Sequence, residues 1–122
     1  MLYERWKQVS AGRQNGIALR DFASRKSWTF VQLFSEGEKF PVNGEIICPQ
    51  GHSPEFILQL LAAWRENKIV CPLETGQLPP QIPGAPQNCV HLKITSATTG
   101  NPRMVAMTAE QLAADAENIV AT

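Results

Sequence analysis

Between Thr95 and Val105 the chain reads "TSATTGNPRMV". Ser96, Thr98 and Thr99 bring short hydroxyls, Gly100 brings a backbone that a ligand can approach closely, and Arg103 brings a fixed positive charge. A phosphate group is held by many short donors converging on it, so these residue types in this order suit phosphate binding. The stretch is not a Walker sequence, because G-x-x-x-x-G-K-[ST] is absent. On residue types alone, a Ser/Thr/Gly-rich hairpin connection explains it equally well. Cys48 and His52 have C-x3-H spacing, but no second pair of ligands follows. A buried thiol and a loop histidine account for them better than a metal site.

The elements that must position this loop follow from periodicity. Leu2, Trp6 and Val9 predict a short amphipathic helix ending near Gly12. "IALRDF" predicts a strand, Asp21 to Ser27 a turn, and Thr29 with Gln32 a T-x-x-Q capping box opening a helix whose stripe is Phe30, Leu33 and Phe34. "EIICPQ" and "KIVCPLE" read as short buried strands. Between them "HSPEFILQLLAAWRENK" reads as a helix with Ser53 at the N-cap and Pro54 at its first position. Its apolar residues surround most of the cylinder, so it must be covered on more than one side. Strand, helix, strand in that order is a βαβ unit and implies parallel pairing with a right-handed crossover.

Residues 76–88, "GQLPPQIPGAPQN", form a Pro/Gly-rich internal connection. A PxxP-type ligand is the other reading of that composition. Val90, Leu92 and Ile94 alternate with His91, Lys93 and Thr95, a strand with one buried face and His91 on the polar one. "MVAMT" reads as a strand. Thr108 and Gln111 make a second capping box before a helix with Leu112, Ala113, Ala116, Ile119 and Val120 on one face. The loop at 96–103 leaves a strand at the carboxyl edge of the sheet, where ligands bind in open α/β folds.

Bulk properties narrow the function classes. The 122 residues make one domain or a part of one, with eleven basic side chains balancing eleven acidic ones and 43% apolar residues. A neutral total without a Lys/Arg-aromatic run argues against nucleic-acid binding. No stretch is long and apolar enough for a membrane span, and the first residues lack the apolar core of a signal peptide. Cys48, Cys71 and Cys89 are odd in number, and the first two lie in apolar runs, which points to a reducing, cytoplasmic setting.

The loop resembles the phosphate-binding signature of the adenylate-forming (AMP-binding) superfamily of acyl- and aryl-CoA synthetases, peptide-synthetase adenylation domains and luciferases, commonly written T-S-G-[ST]-T-G-x-P-K-G-V. Three further stretches resemble the family in order: "WTFVQLF" (28–34), "GHSPEFILQLLAAWRENKIVCPLE" (51–74) and "TAEQLAADAENI" (108–119). The resemblance implies an α/β fold, a mainly parallel sheet with flanking helices, forming part of the N-terminal domain of the adenylate-forming fold. It implies that Ser96, Thr98, Thr99 and Gly100 wrap the β- and γ-phosphates of ATP, with Arg103 where the family has a lysine. Mg²⁺ would spread the phosphate charge. Such enzymes join a carboxylic acid to AMP and then usually pass the acyl group to coenzyme A or a carrier protein.

The sequence departs from the pattern at four positions. Ala97 replaces a glycine, at a cost of roughly 1 kcal/mol where φ must be positive. Arg103 exchanges an ammonium for a planar fork. Met104 replaces another glycine, and Ala109 stands where many members have a histidine. The stretch from Leu73 to Ile94 is shorter than the family's, by the length of a strand and helix. Thr122 precedes the family's Y-G-x-T-E segment, its ribose-binding aspartate and its late lysine, so the chain is expected to be a front section, a single truncated ATP-binding-type domain over 1–122. No catalytic residue is expected within it, and alone it is expected not to turn over. Ala97 and Met104 also support a second reading, a non-catalytic α/β interaction module derived from that fold. Uncovered sheet edges and helix faces lead to the expectation that this piece self-associates.

Overall fold

In the computed structural model, residues 2–80, 84, 87–95 and 103–121 are described. Helix α1 (Leu2–Gly12) leads into a hairpin of β1 (Ile17–Asp21) and β2 (Lys26–Thr29), followed by α2 (Phe30–Lys39). Then come β3 (Ile46–Ile47), α3 (Pro54–Arg65), β4 (Ile69–Val70), β5 (Cys89–Thr95), β6 (Arg103–Thr108) and α4 (Ala109–Ala121). The second sheet has the order β3-β4-β5-β6: β3, β4 and β5 are parallel, and β6 runs antiparallel to β5. The structure is therefore α/β with a mainly parallel sheet. Among the described residues no helix is long and apolar enough to cross a membrane.

Both capping boxes form. The Gln32 N–H donates to Thr29 Oγ1 at 3.2 Å while Gln32 Oε1 accepts from the Thr29 N–H at 2.9 Å. Thr108 and Gln111 repeat the exchange at 3.2 and 2.8 Å. Ser53 occupies the N-cap of α3 with extended backbone, but its side chain makes no capping bond; Pro54 at the start supplies the preset φ instead. The far end of α3 closes through Asn67, which takes the left-handed region at φ 55 and lets the Lys68 N–H reach back to Ala63 O at 2.8 Å.

Two sequence expectations need correction here. The turn expected over Asp21 to Ser27 is shorter, because Lys26 to Thr29 pair antiparallel with β1 and the reversal rests on Arg25 at φ 59. The alternation expected along β5 fails at Val90. A bulge between Cys89 and His91 puts Cys89, Leu92 and Ile94 in one apolar cluster, whereas Val90 lines a crevice with Trp64, Leu2 and Tyr3.

Helix α3 is the centre of the packing. One side lies on the sheet, where Ala63, Ile47 and Val70 are buried with Leu60 and Trp64 against them. Another side meets α2, where Gly37 is buried and a Cβ there would sit 3.5 Å from Leu61 Cβ. The all-round apolar character of α3 is thus matched by layers on two sides. Helix α1 adds a third layer through Tyr3 and Trp6, whose rings lie 6.1 to 6.5 Å from those of Phe30 and Phe34. Helix α4 follows the apolar periodicity less well: Leu112 and Ala113 are half-buried, but Ile119 is 74% exposed.

Arg65 ties α3 to the end of α2. Its guanidinium donates to Gly37 O, which also accepts from the Phe40 N–H at 3.3 Å, and at 2.8 Å to Phe40 O just past the end of α2. Its contact with Glu66 at 3.0 Å lies at an exposed carboxylate and contributes little. Arg65→Met is expected to lower stability by about 2 kcal/mol in urea titration, against less than about 0.5 kcal/mol for Glu66→Gln.

His91 stands beside Val70 and Met107 in the sheet register. Burial, and secondarily the charge of Lys93, hold its imidazole below the ordinary 6.5. The unfolded chain then binds the proton more readily, so stability is complete above about pH 6.5 and declines as pH falls through the folded value. Chemical denaturation across that window should show this slope, and His91→Gln should flatten it.

Candidate active-site crevice

The parallel strands end abruptly in prolines. Pro49 follows β3 by one residue and Pro72 follows β4 by one residue, and neither can donate to a ladder. Pairing resumes only at an isolated bridge between Gln50 and Leu73. Beyond it lies an open cavity of about 660 Å³. Its walls are Leu19 to Asp21 of β1, Gly51 to Pro54 with Phe56 and Ile57 of α3, Pro72 to Glu74 with Gln77, and Ile94 of β5. Every parallel strand thus contributes its carboxyl end, or the residues just after it, to one crevice.

The rim is fixed by side-chain amides. Gln50 Nε2 donates to Gln77 O at 3.3 Å, and Gln50 Oε1 accepts from the Gly76 N–H at 3.3 Å. Gln77 Oε1 accepts from the Glu74 N–H at 2.9 Å, closing the following turn. Gly51 sits at φ +76, donates to Leu73 O at 3.2 Å, and leaves space so small that a Cβ would lie 2.8 Å from Thr75 Oγ1. Only glycine meets both conditions. The amino end of α3 opens on the crevice at Ser53 and Pro54, which favours an anionic group there. Arg20 lies among the walls with Asp21 and Glu74, and Leu19, Phe56, Ile57, Leu73 and Ile94 make them suit a ligand with a substantial apolar part.

The stretch read from the sequence as a phosphate loop lies between β5 and β6 in the chain. Thr95 pairs with Arg103, and residues 96 to 102 join them. Ser96, Thr98, Thr99 and Gly100, together with Ala97, lie outside the described residues. Arg103 is the first residue of β6 and is exposed. Met104, the bulky departure, pairs with Ile94 and is 40% exposed, so its side chain is accommodated at the surface of the sheet. Ala109 begins α4 and lines the crevice shared by Tyr3, Trp64 and Val90, well separated in the sheet from Ile94.

No protein-family model matches the chain, and no curated protein matches its sequence. Solved structures match it in fold. The N-terminal subdomain of Klebsiella oxytoca NpsA in complex with 3-hydroxyanthranilyl-AMSN superposes with a TM-score of 0.65 at 13% identity, covering 87% of this chain and 40% of that one. The same subdomain in another crystal gives 0.64 at 14% identity, covering 87% and 41%. The inhibitor-bound N-terminal domain of FACL13 from Mycobacterium tuberculosis gives 0.63 at 11% identity, covering 87% and 44%. The chain shares its fold with the N-terminal subdomain of NpsA and the N-terminal domain of FACL13. It spans about two-fifths of the length of these neighbours.

Within this fold, the crevice residues around Gly51, Pro72 and Gln77 were not singled out by sequence reasoning. The available signal was positional: segments that follow parallel strands gather at one edge. Gly51→Ala is expected to destabilise the chain by roughly 1–2 kcal/mol or more in thermal unfolding. Adding Thr75→Ala should recover the steric part of that loss and leave the part due to φ.

Proposed function

We propose that this chain is the N-terminal portion of an ATP-dependent ligase that activates a carboxylic acid as acyl-AMP and then forms a thioester with coenzyme A or a carrier protein. In this reading Ser96, Thr98, Thr99 and Gly100 hold the β- and γ-phosphates of ATP, and Arg103 supplies the adjacent positive charge. Hydroxyl and amide donors fixed before ATP arrives stabilise charge as it develops on the leaving pyrophosphate. Mg²⁺ would supply further neutralisation of the phosphate oxygens. Arg103 favours planar, two-pronged contact with phosphate oxygens.

The observation that supports this reading is where the described strands end: Ile94 of β5 is a wall of the crevice and Thr95 pairs with Arg103, in a fold shared with NpsA subdomains bound to aryl-AMSN compounds. The four motif stretches in family order support it. The chain's share of its neighbours' length supports the further reading that it does not turn over by itself.

Exchange of radiolabelled pyrophosphate into ATP, measured over a panel of carboxylic acids, tests this. The complete polypeptide carrying these residues should exchange, and the 122-residue chain alone should not. Thr99→Val and Arg103→Gln in the complete polypeptide should each reduce exchange by roughly 10- to 100-fold. Absence of exchange together with absence of calorimetric heat from ATP-Mg²⁺ would instead establish the non-catalytic interaction module.

A further inference from the structure

The chain carries one pattern twice, Ile46-Ile47-Cys48-Pro49 and Ile69-Val70-Cys71-Pro72. The parallel register sets Ile46 beside Ile69 and Ile47 beside Val70, and Gln50 bridges Leu73 further on. Cys48 therefore lies directly across from Cys71. The ladder is closed on both sides of them, with the Cys71 N–H donating to Ile47 O at 2.9 Å and the Leu73 N–H to Pro49 O at 2.8 Å. Both thiols belong to the same apolar cluster and so share one face of the sheet. Cys71 is fully buried, Cys48 is half-buried, and both are reduced.

Neighbouring strands run about 4.8 Å apart, inside the Cα separation of about 4.4–6.8 Å that disulfides span. Bringing the Cβ atoms into range asks for a small shift, and β3 is an edge strand with freedom to make it. Among the described residues no third His, Cys, Asp or Glu joins the pair to form a metal-ligand group. Cys89 occupies the opposite end of β5, where its thiol donates to His91 O at 3.4 Å.

We propose that Cys48 and Cys71 are a modification site, closing to a reversible disulfide between β3 and β4 when a hydroperoxide is present. Cys48, the more accessible thiol, reacts as its thiolate with a peroxide oxygen. The O–O bond breaks, Cys48 becomes a sulfenic acid, and the peroxide leaves as an alcohol, or as water when it is hydrogen peroxide. Cys71 then loses its proton and attacks the Cys48 sulfur, and the hydroxide expelled takes up that proton as water. The two thiols give up two electrons, and the O–O bond receives both.

Burial holds the Cys48 thiol above its ordinary range and, reinforced by Cys48, pushes the Cys71 thiol up to about 11, so closure is slow at neutral pH and accelerates as the thiolate fractions grow with pH. The bond pins the edge strand β3 to β4 immediately before Pro72 and Leu73, two walls of the crevice.

The test treats the 122-residue chain with hydrogen peroxide at neutral and mildly alkaline pH. Denaturation, alkylation with N-ethylmaleimide, intact mass and peptide mapping follow. The expected product carries one alkyl group, at Cys89, and a Cys48–Cys71 cross-linked peptide that dithiothreitol reverses and that forms faster at the higher pH. Cys89→Ser should keep the cross-link, and Cys48→Ser should abolish it. Alkylation of all three cysteines, over-oxidation of Cys48 with Cys71 still alkylated, or a disulfide that includes Cys89 would each overturn the proposal. The unsubstituted chain carries the deciding readout, so the result does not depend on the variants folding.

Discussion

The pairing of β3 with β4 is the constraint on which the rest of the structure depends. Parallel neighbours cannot be joined by a tight turn, so the chain must cross over, and here the crossing is α3. Once α3 lies on the sheet, its opposite apolar side needs cover, and α2 supplies it through Gly37 and the Arg65 clamp. Helix α1 then covers α2 through the Tyr3, Trp6, Phe30 and Phe34 rings. The layers follow from one buried strand pair outward.

The same pairing creates the crevice. Past Cys48 and Cys71 the parallel ladder is interrupted at Pro49 and Pro72, which cannot donate to it, and keeps only the Leu73 N–H to Pro49 O and Gly51 N–H to Leu73 O bonds. The chain diverges there into Gly51-His52-Ser53 and Glu74-Thr75-Gly76, and the divergence leaves the volume that Ile94 and β1 complete. The amino end of α3 and the start of the hydroxyl-rich connection at residue 96 come to the same edge because both follow parallel strands.

What could be read from the sequence was what is decided locally. The capping boxes at Thr29 and Thr108 are set by residues three apart, and both form as read. The all-round apolar α3 announced its two covering layers. Features decided between distant segments were not legible. Strand β2 exists because β1 offers it a partner, and Arg25 in the left-handed region gives no glycine signal. Val90 leaves its expected face because a bulge depends on the strand opposite. Ile119 keeps helical spacing with its apolar neighbours yet is largely exposed. The crevice could be anticipated only as an edge, since its walls come from separate parts of the chain. The proposed phosphate-binding role of residues 96–100 rests on the sequence pattern, since those residues lie outside the described ones.

One connection distinguishes itself from the others. Strands β4 and β5 are parallel, yet among the described residues between them, 71 to 80 with 84, 87 and 88, there is neither helix nor paired strand beyond the single bridge at Leu73. For such a link, each doubling of length costs only about 0.6 kcal/mol of closure entropy. The register of Val70 with His91 is insulated from the link's length, so evolution can insert or delete entire elements at this junction while the sheet on either side stays aligned.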